Sequence, residues 1–409
     1  MKSILISTAL MFCLFYGHSQ EYAGTSTVHT IDSKIYGKKR DIRVYVPYSY
    51  KENTSQSYPT IYLFDAQFDP LFDMTSGTMD YLSGTGQLNE YIIVGIKTEM
   101  RASEFTPKFT NPKTKEDWGD TEIGHSSLLE DFLNNEVLPL VQTTYRVEPF
   151  RLGIGHSLGG TFVLNSLLSS PDLFNAVIAI SPNLSYDFEQ IVNRFDDYFK
   201  TQDSLSKFVF ISAGTEGNME NRFRKSSERL DAIINYYRPK DLIYNFEVYD
   251  NAGHSVTPML TIGKSFMELA KLWVLSEEKK ELLLQDSETP FVQDLKNFYA
   301  DLTAYVGYEA KPSSSELNAY GYDCLHAEKF EEGIQVFDWA LELYPKEANL
   351  YDSRAEAYEK IGNLKAAKTD YSKALEVLEA TKTDYDDENY DYHKGVFKEH
   401  LEKLSSKKS

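Results

Sequence analysis

Phe150-Arg151-Leu152-Gly153-Ile154-Gly155-His156-Ser157-Leu158-Gly159-Gly160-Thr161-Phe162-Val163-Leu164 is the stretch on which the reading of this chain turns. Its first half is a short apolar strand and its last third an apolar helix start, with G-x-S-x-G at the junction. That is the strand-turn-helix elbow which lifts a serine hydroxyl above the end of a sheet. The turn is sharp enough that Cβ atoms at Gly155 and Gly159 are expected to collide with the neighbouring backbone. Ser157 is therefore the candidate nucleophile, and the Leu158 amide, at the helix N-terminus, is aimed at a developing oxyanion.

Outward from this elbow the pattern alternates. Upstream, Ser26 to Ile35 and Asp41 to Val46 alternate β-branched and polar residues around the turn Gly37-Lys38-Lys39-Arg40. Thr60 to Phe64 and Tyr91 to Ile96 are continuous apolar runs, as strands buried on both faces require. Leu128 to Tyr145 has helical spacing. Downstream, strands are expected at Ala176 to Ile180, Phe208 to Ser212 and Tyr244 to Val248, and a last helix at Pro258 to Leu275. This order predicts an open, mostly parallel α/β sheet over residues 20–275, and the elbow within it is the kind that α/β-hydrolases carry.

Past Ser276 the strand signals stop. A helical connector is read over 276–312, with a polar break at Lys311 to Ser315 as the domain boundary. Over 313–379 positions 34 apart match: Gly321 with Ala355, Gly333 with Ala367, Phe337 with Tyr371, and Ala340 with Ala374. That is the tetratricopeptide period, and two such units need flanking helices to be stable. An acidic linker and a closing helix near Tyr392 to Leu404 fill 380–409. This all-α tail is expected to be a separable module, with a protein partner as its suggested ligand.

Composition narrows the function classes. The 62 Asp and Glu against 42 Lys and Arg give a net charge of -20, which repels phosphate backbones and anionic lipid, so nucleic acid is not an expected partner. The run Arg222, Arg224, Lys225 and Arg229 is the local exception, suited to an anionic substrate. Lys2 followed by the apolar run Ile4 to Tyr16 and by Gly17-His18-Ser19 reads as a signal peptide over 1–19, predicting a periplasmic or secreted protein without a stable membrane anchor. Its loss removes Cys13 and leaves Cys324 alone, so neither an internal disulfide nor a thiolate metal site is expected. No H-E-x-x-H, Walker loop or dinucleotide fingerprint occurs, and the acidic run from Asp384 to Asp391 lacks the glycine of a calcium loop. Neither metal nor organic cofactor is expected.

A serine nucleophile needs a base, and His254 is the one of the eight histidines that follows the last strand, in the turn-rich loop Asp250-Asn251-Ala252-Gly253. The acid must lie between Ser157 and His254 just after a strand. Glu216 is the first choice, Glu220 the second and Asp250 the third. The second oxyanion donor is expected after Thr60 to Phe64, from the amide of Gln67, with Ala66 as the alternative. His156 is expected to line the pocket.

Several of these pieces together resemble the family of α/β-hydrolase esterases that includes esterase D, feruloyl and acetyl xylan esterases, mycolyltransferases and enterobactin-type siderophore esterases. The resemblance spans Val28 to about Leu275. It rests on Tyr62-Leu63-Phe64-Asp65-Ala66, on Arg101-Ala102-Ser103-Glu104-Phe105-Thr106-Pro107, on Phe132 to Tyr145, on Gly155 to Gly160, and on Pro171-Asp172-Leu173-Phe174 leading to Ser181-Pro182. Ala66 departs from the family's glycine. The run from Arg101 looks most like the siderophore-esterase branch, where that loop borders the active site. It implies Arg101 as a substrate contact, or else a structural corner locked by Arg101 and Glu104. The resemblance implies hydrolysis of a small-molecule ester, of a siderophore-like, carbohydrate or feruloyl kind, through an acyl-enzyme. The rival is a catalytically silent hydrolase fold serving as a scaffold for the tetratricopeptide surface.

Overall fold

The computed structural model describes residues 23–52, 56–273, 275–286, 288–385 and 387–406; the expected signal peptide lies outside them. Eight strands form one sheet: β1 (Thr25–Ser33), β2 (Lys38–Val46), β3 (Tyr58–Phe64), β4 (Ile92–Ile96), β5 (Val147–His156), β6 (Ala176–Ile180), β7 (Ser204–Glu216) and β8 (Lys240–Gly253). Their order is β1-β2-β4-β3-β5-β6-β7-β8. β1, β2 and β4 pair antiparallel, whereas β4, β3, β5 and β6 run parallel. Every residue of β3, β4 and β6 is buried. That is the physical meaning of their unbroken apolar runs, since layers cover both faces.

β7 and β8 extend beyond the apolar runs that announced them. Their extra residues are mostly polar or half-exposed, such as Ser204, Lys207, Asp241 and Asp250. Backbone pairing near the sheet edge does not require an apolar side chain. The expected helix Leu128 to Tyr145 is present as Ser126–Phe132 and Leu138–Thr144 joined by one wide π turn, Leu133–Val137. Within it the Leu138 amide reaches the Leu133 carbonyl. Pro139, which has no amide to donate, follows directly.

The chain divides into two compact units. One holds the described residues up to 201 together with 209–237 and 245–266; the other holds 202–208, 238–244 and the chain from 267 onward. The second unit carries the helices Glu277–Asp286, Phe291–Val306, Ser314–His326, Phe330–Leu343, Ala348–Lys360, Leu364–Ala380 and Asp387–Ser406. Helix starts repeat as the sequence matches do, Ser314 with Ala348 and Phe330 with Leu364. Gly321 is required because a Cβ there would overlap the ring of Phe337. The closing helix packs through Phe397 and Leu404, and His400 meets the buried Asp352 carboxylate at 3.0 Å.

The polar break expected as a domain boundary is a turn inside this second unit. Ser313 and Glu316 form a reciprocal capping box at the start of Ser314–His326. Leu275, Phe291 and Leu295 share one core with Leu317, Tyr320, Val336 and Ala340, so the connector helices and the repeats are buried together. A polar run of five residues signals a cap as readily as a linker. Among the described residues no helix is long and apolar enough to cross a membrane.

Candidate active site

Three strands end in a non-glycine residue with positive φ. β3 is followed by Asp65 (φ 63°), β5 by Ser157 (φ 60°) and β6 by Ser181 (φ 42°). Such backbone is costly for an L-residue and gathers where a site imposes it. At the elbow the Ser157 amide donates to Ile180 (2.9 Å), and the serine is the residue just before the helix Leu158–Ser169. A Cβ on Gly155 would overlap the Gly159 carbonyl. The second tight glycine is Gly160 rather than the expected Gly159: a Cβ would lie 3.1 Å from Gly155 O and Pro182, against 3.6 Å to the nearest atom at Gly159. The helix leaves the turn with the Gly160 side directed at the strand, and Gly159 faces looser space.

His254 follows β8 and its Nδ1 lies 2.6 Å from Glu220 Oε2. The other oxygen of Glu220 accepts the Gly214 amide at 2.6 Å and the Ser181 hydroxyl at 2.7 Å. Burial by itself would raise this carboxyl, which is 1% exposed; the hydrogen bonds from His254, Gly214 and Ser181 outweigh it and hold the group below the ordinary carboxylate range. Glu220 is thus an ionised, fully partnered carboxylate on the imidazole. The Nε2 of His254 is left for other work.

The imidazole of His254 is wedged between Phe223, edge-on at 5.4 Å, and His156, tilted at 4.4 Å between centroids. His156 immediately precedes Ser157, so this stacking sets His254 against the elbow. His156 Nε2 is 3.0 Å from the His254 carbonyl and can only donate to it. Burial first, and then the neighbouring His254, push the His156 ring down to about 4. It is a neutral ring that pins the histidine loop.

The depressed titration of His156 has a stability consequence. Below the usual histidine value near 6.5 the unfolded chain takes up a proton that the folded chain refuses, so stability held above that pH is lost as pH falls toward 4. His156→Phe keeps a stacking ring and removes the titration. Its melting temperature is expected to fall less steeply than the wild type's between pH 7 and pH 5, by differential scanning fluorimetry. Parallel slopes would refute the assignment of that pH dependence to His156.

The loop after β3 carries the other expected donor. The Ala66 amide is already spent on the Ile96 carbonyl (3.1 Å). The Gln67 amide takes no partner among the described residues, and the residue is exposed. Of the two amides expected from this loop, that of Gln67 rather than Ala66 is the one without a backbone partner among the described residues.

Two sequence expectations change. Glu216, the first choice for the acid, is the last residue of β7 and is exposed, while Glu220 holds the imidazole. The reason is reach: β7 runs on to Glu216, Gly217 turns the chain (φ 92°), and the helix Asn218–Tyr237 brings its first turn over His254. A signal was present, because Glu220 lies on the buried stripe of Phe223, Ser227, Leu230 and Ile234. A carboxylate on an apolar stripe needs a partner. Asp250 lies exposed on β8.

Arg101 and Glu104 do not lock onto each other. Arg101 grips Asp65, and Glu104 is gripped by the buried Arg40 at 3.1 and 2.7 Å. Of the basic run, Arg224 is engaged by Glu228 and Asn221, and Arg229 by Glu189 and Asn193. Arg222 and Lys225 stay exposed, Arg222 lying 5.4 Å over the Phe223 ring. Ser181 and Asp65 were not read as site residues; only their partners in space reveal them.

Comparison with known proteins adds the family. The profile described as Putative esterase matches residues 33–232, which contain the elbow and Glu220. Residues 33–232 thereby fall in the Putative esterase family. The protein is thereby a carboxylic ester hydrolase. Ferri-bacillibactin esterase BesA of Bacillus subtilis is 26% identical over 262 residues, 58% of this chain and 90% of the relative. Apo-salmochelin esterase of Escherichia coli O6:H1 is 26% identical over 234 residues, 53% of this chain and 70% of the relative. Among solved structures, an IroE-like serine hydrolase from Shewanella oneidensis superposes with a TM-score of 0.66 at 19% identity, covering 78% of this chain and all of that one. A Capnocytophaga ochracea protein reaches 0.67 at 17% identity over 93% of this chain and all of that one, so the fold likeness takes in most of the helical region. At these identities the likeness concerns fold alone.

Proposed function

We propose that this protein is a secreted or periplasmic serine esterase in which Ser157, His254 and Glu220 act as a triad. The observation that carries this is the Glu220–His254 contact at 2.6 Å, on an imidazole stacked against the residue preceding Ser157. With Nδ1–H held by an ionised carboxylate, the base nitrogen is Nε2 in its neutral form. His254 takes the Ser157 proton as the hydroxyl attacks the ester carbonyl, and the oxyanion is met by the amides of Leu158 and Gln67. The same imidazole protonates the leaving alkoxide, and water then releases the acid from the acyl-enzyme. No step calls for a metal or organic cofactor.

For the substrate we infer an aromatic ester bearing negative charge, of the siderophore kind before the feruloyl or sugar kind. The rim supports this: Phe68, Phe188 and Val256, each in a loop or turn following a different strand, and Met219, in the first turn of the helix after β7, are 60%, 50%, 47% and 47% exposed, with the Arg222 cation beside Phe223. Exposed apolar groups around a polar centre suit aromatic rings, and a cation suits catecholate or carboxylate oxygens. The two relatives' names, a ferri-bacillibactin esterase and an apo-salmochelin esterase, agree with that choice. The helical repeats remain a candidate protein-binding module.

A panel of catecholate-siderophore, feruloyl and acetyl-sugar esters decides among the classes. The expected result is a kcat/KM at least about tenfold higher on the catecholate triester, equivalent to about 1.4 kcal/mol of transition-state discrimination. Faster turnover of feruloyl or acetyl-sugar esters would overturn the substrate assignment. A silent scaffold would turn over none of them.

A further inference from the structure

Two of the three guanidinium nitrogens of Arg101 are engaged within the protein. Its Nε donates to Asp65 Oδ1 at 2.7 Å and its Nη2 to Asp65 Oδ2 at 2.8 Å, a two-pronged clamp on a side chain only 9% exposed. Nη2 also lies 3.4 Å from the carbonyl of His156, the residue before Ser157. Asp65 Oδ1 accepts in addition from Gln67 Nε2 (3.0 Å), whose own Oε1 takes the Thr98 amide (2.8 Å). One cation therefore ties together the loops that follow β3 and β5, which carry the two expected oxyanion amides.

The carboxylate it holds sits in an awkward place. A Cβ on Gly159 would come within 3.7 Å of Asp65 Oδ2, so this oxygen faces the first turn of the helix that begins at Leu158. An unbalanced anion there opposes a second negative charge developing on the substrate oxygen, and like charges repel strongly where water is thinned out. The paired guanidinium cancels it. The root of Arg101 is itself fixed, because the neighbouring Glu104 accepts from the buried Arg40 and from the amides of Glu99 (3.3 Å) and Met100 (3.0 Å).

We propose that Arg101 is a positioning residue that makes the Asp65–Gln67 loop usable as half of an oxyanion hole, by neutralising Asp65 and fixing it against the elbow. This rests on the serine-esterase reading above. Removing Arg101 then does two harmful things: it frees the loop, and it uncovers a carboxylate beside the reacting carbonyl. The second harm disappears when Asp65 is made neutral.

Four proteins test this on a small activated ester: wild type, Arg101→Met, Asp65→Asn and the double variant. Arg101→Met is expected to lower kcat on the order of a hundredfold, the scale of losing one oxyanion donor, with KM changed only a few-fold. Adding Asp65→Asn is expected to raise kcat about tenfold above Arg101→Met, a rescue that a damaged fold or a lost substrate contact would not give. A double variant no faster than Arg101→Met overturns the inference, as does an effect of Arg101→Met confined to KM. The rate at which an organophosphonate inactivates each variant, read by intact mass, should follow the same ranking. If Arg101→Met does not fold by circular dichroism, Arg101→Gln and its Asp65→Asn double carry the same requirement. Failure of the esterase reading looks different: wild type itself would then match Ser157→Ala.

Discussion

Ser157→Ala is expected to lower kcat on ester substrates on the order of a millionfold, and His254→Ala nearly as far, because nucleophile and base act as one unit and either loss abolishes the acyl-enzyme route. What remains is binding and the two amides of Leu158 and Gln67 acting on water. The elbow makes the serine variant clean. Ser157 has its strained backbone imposed by the crowded Gly155 and Gly160 and by its amide bond to Ile180, so an alanine should leave the turn intact. On a p-nitrophenyl ester the wild type should show a burst followed by steady-state turnover, and a fluorophosphonate should label the wild type but not Ser157→Ala. A Ser157→Ala protein with wild-type turnover would end the serine mechanism for this chain.

Glu220→Gln should cost roughly a hundred- to ten-thousandfold in kcat, whereas Glu216→Gln should stay within about twofold of wild type. The isosteric amide keeps the volume but can present a donor to Nδ1, which favours the tautomer with the proton on Nε2, the wrong nitrogen for a base. It also removes the charge that stabilises the imidazolium. The buried setting magnifies both effects, since Glu220 is 1% exposed and holds Ser181, Gly214 and His254 at once. Glu216 is exposed at the end of β7 and has no such bonds to lose. A loss in Glu216→Gln equal to that in Glu220→Gln would overturn the assignment, and thermal melts of both variants separate chemistry from folding. The comparison also bears on the substrate: a panel run on Glu220→Gln should show the same ranking of esters at lower rate.

How much of this was legible before folding depends on how far apart the interacting residues lie. The elbow was, because its demands fall within a few consecutive residues: an apolar strand to stop, small residues where backbones touch, and an apolar helix to begin. The parallel sheet was legible for a similar reason, since strands covered on both faces, such as β3, β4 and β6, have no exposed side to encode. Chain order alone singled out His254 as the candidate base. The helical repeat showed itself in small residues such as Gly321, which lets Phe337 come close.

What the sequence did not settle was every pairing between charges distant along the chain. Glu216 and Glu220 are four residues apart and both follow a strand; the length of β7 and the phase of the next helix, not composition, point one to water and the other to His254. Arg101 and Glu104 look like a pair in sequence, and the fold gives each a different partner, Asp65 and Arg40. Backbone sterics and apolar burial act locally and periodically, so they leave a pattern in the order of residues. An ion pair or a hydrogen bond requires two groups within about 3 Å, and only the tertiary structure decides which distant residue comes that near.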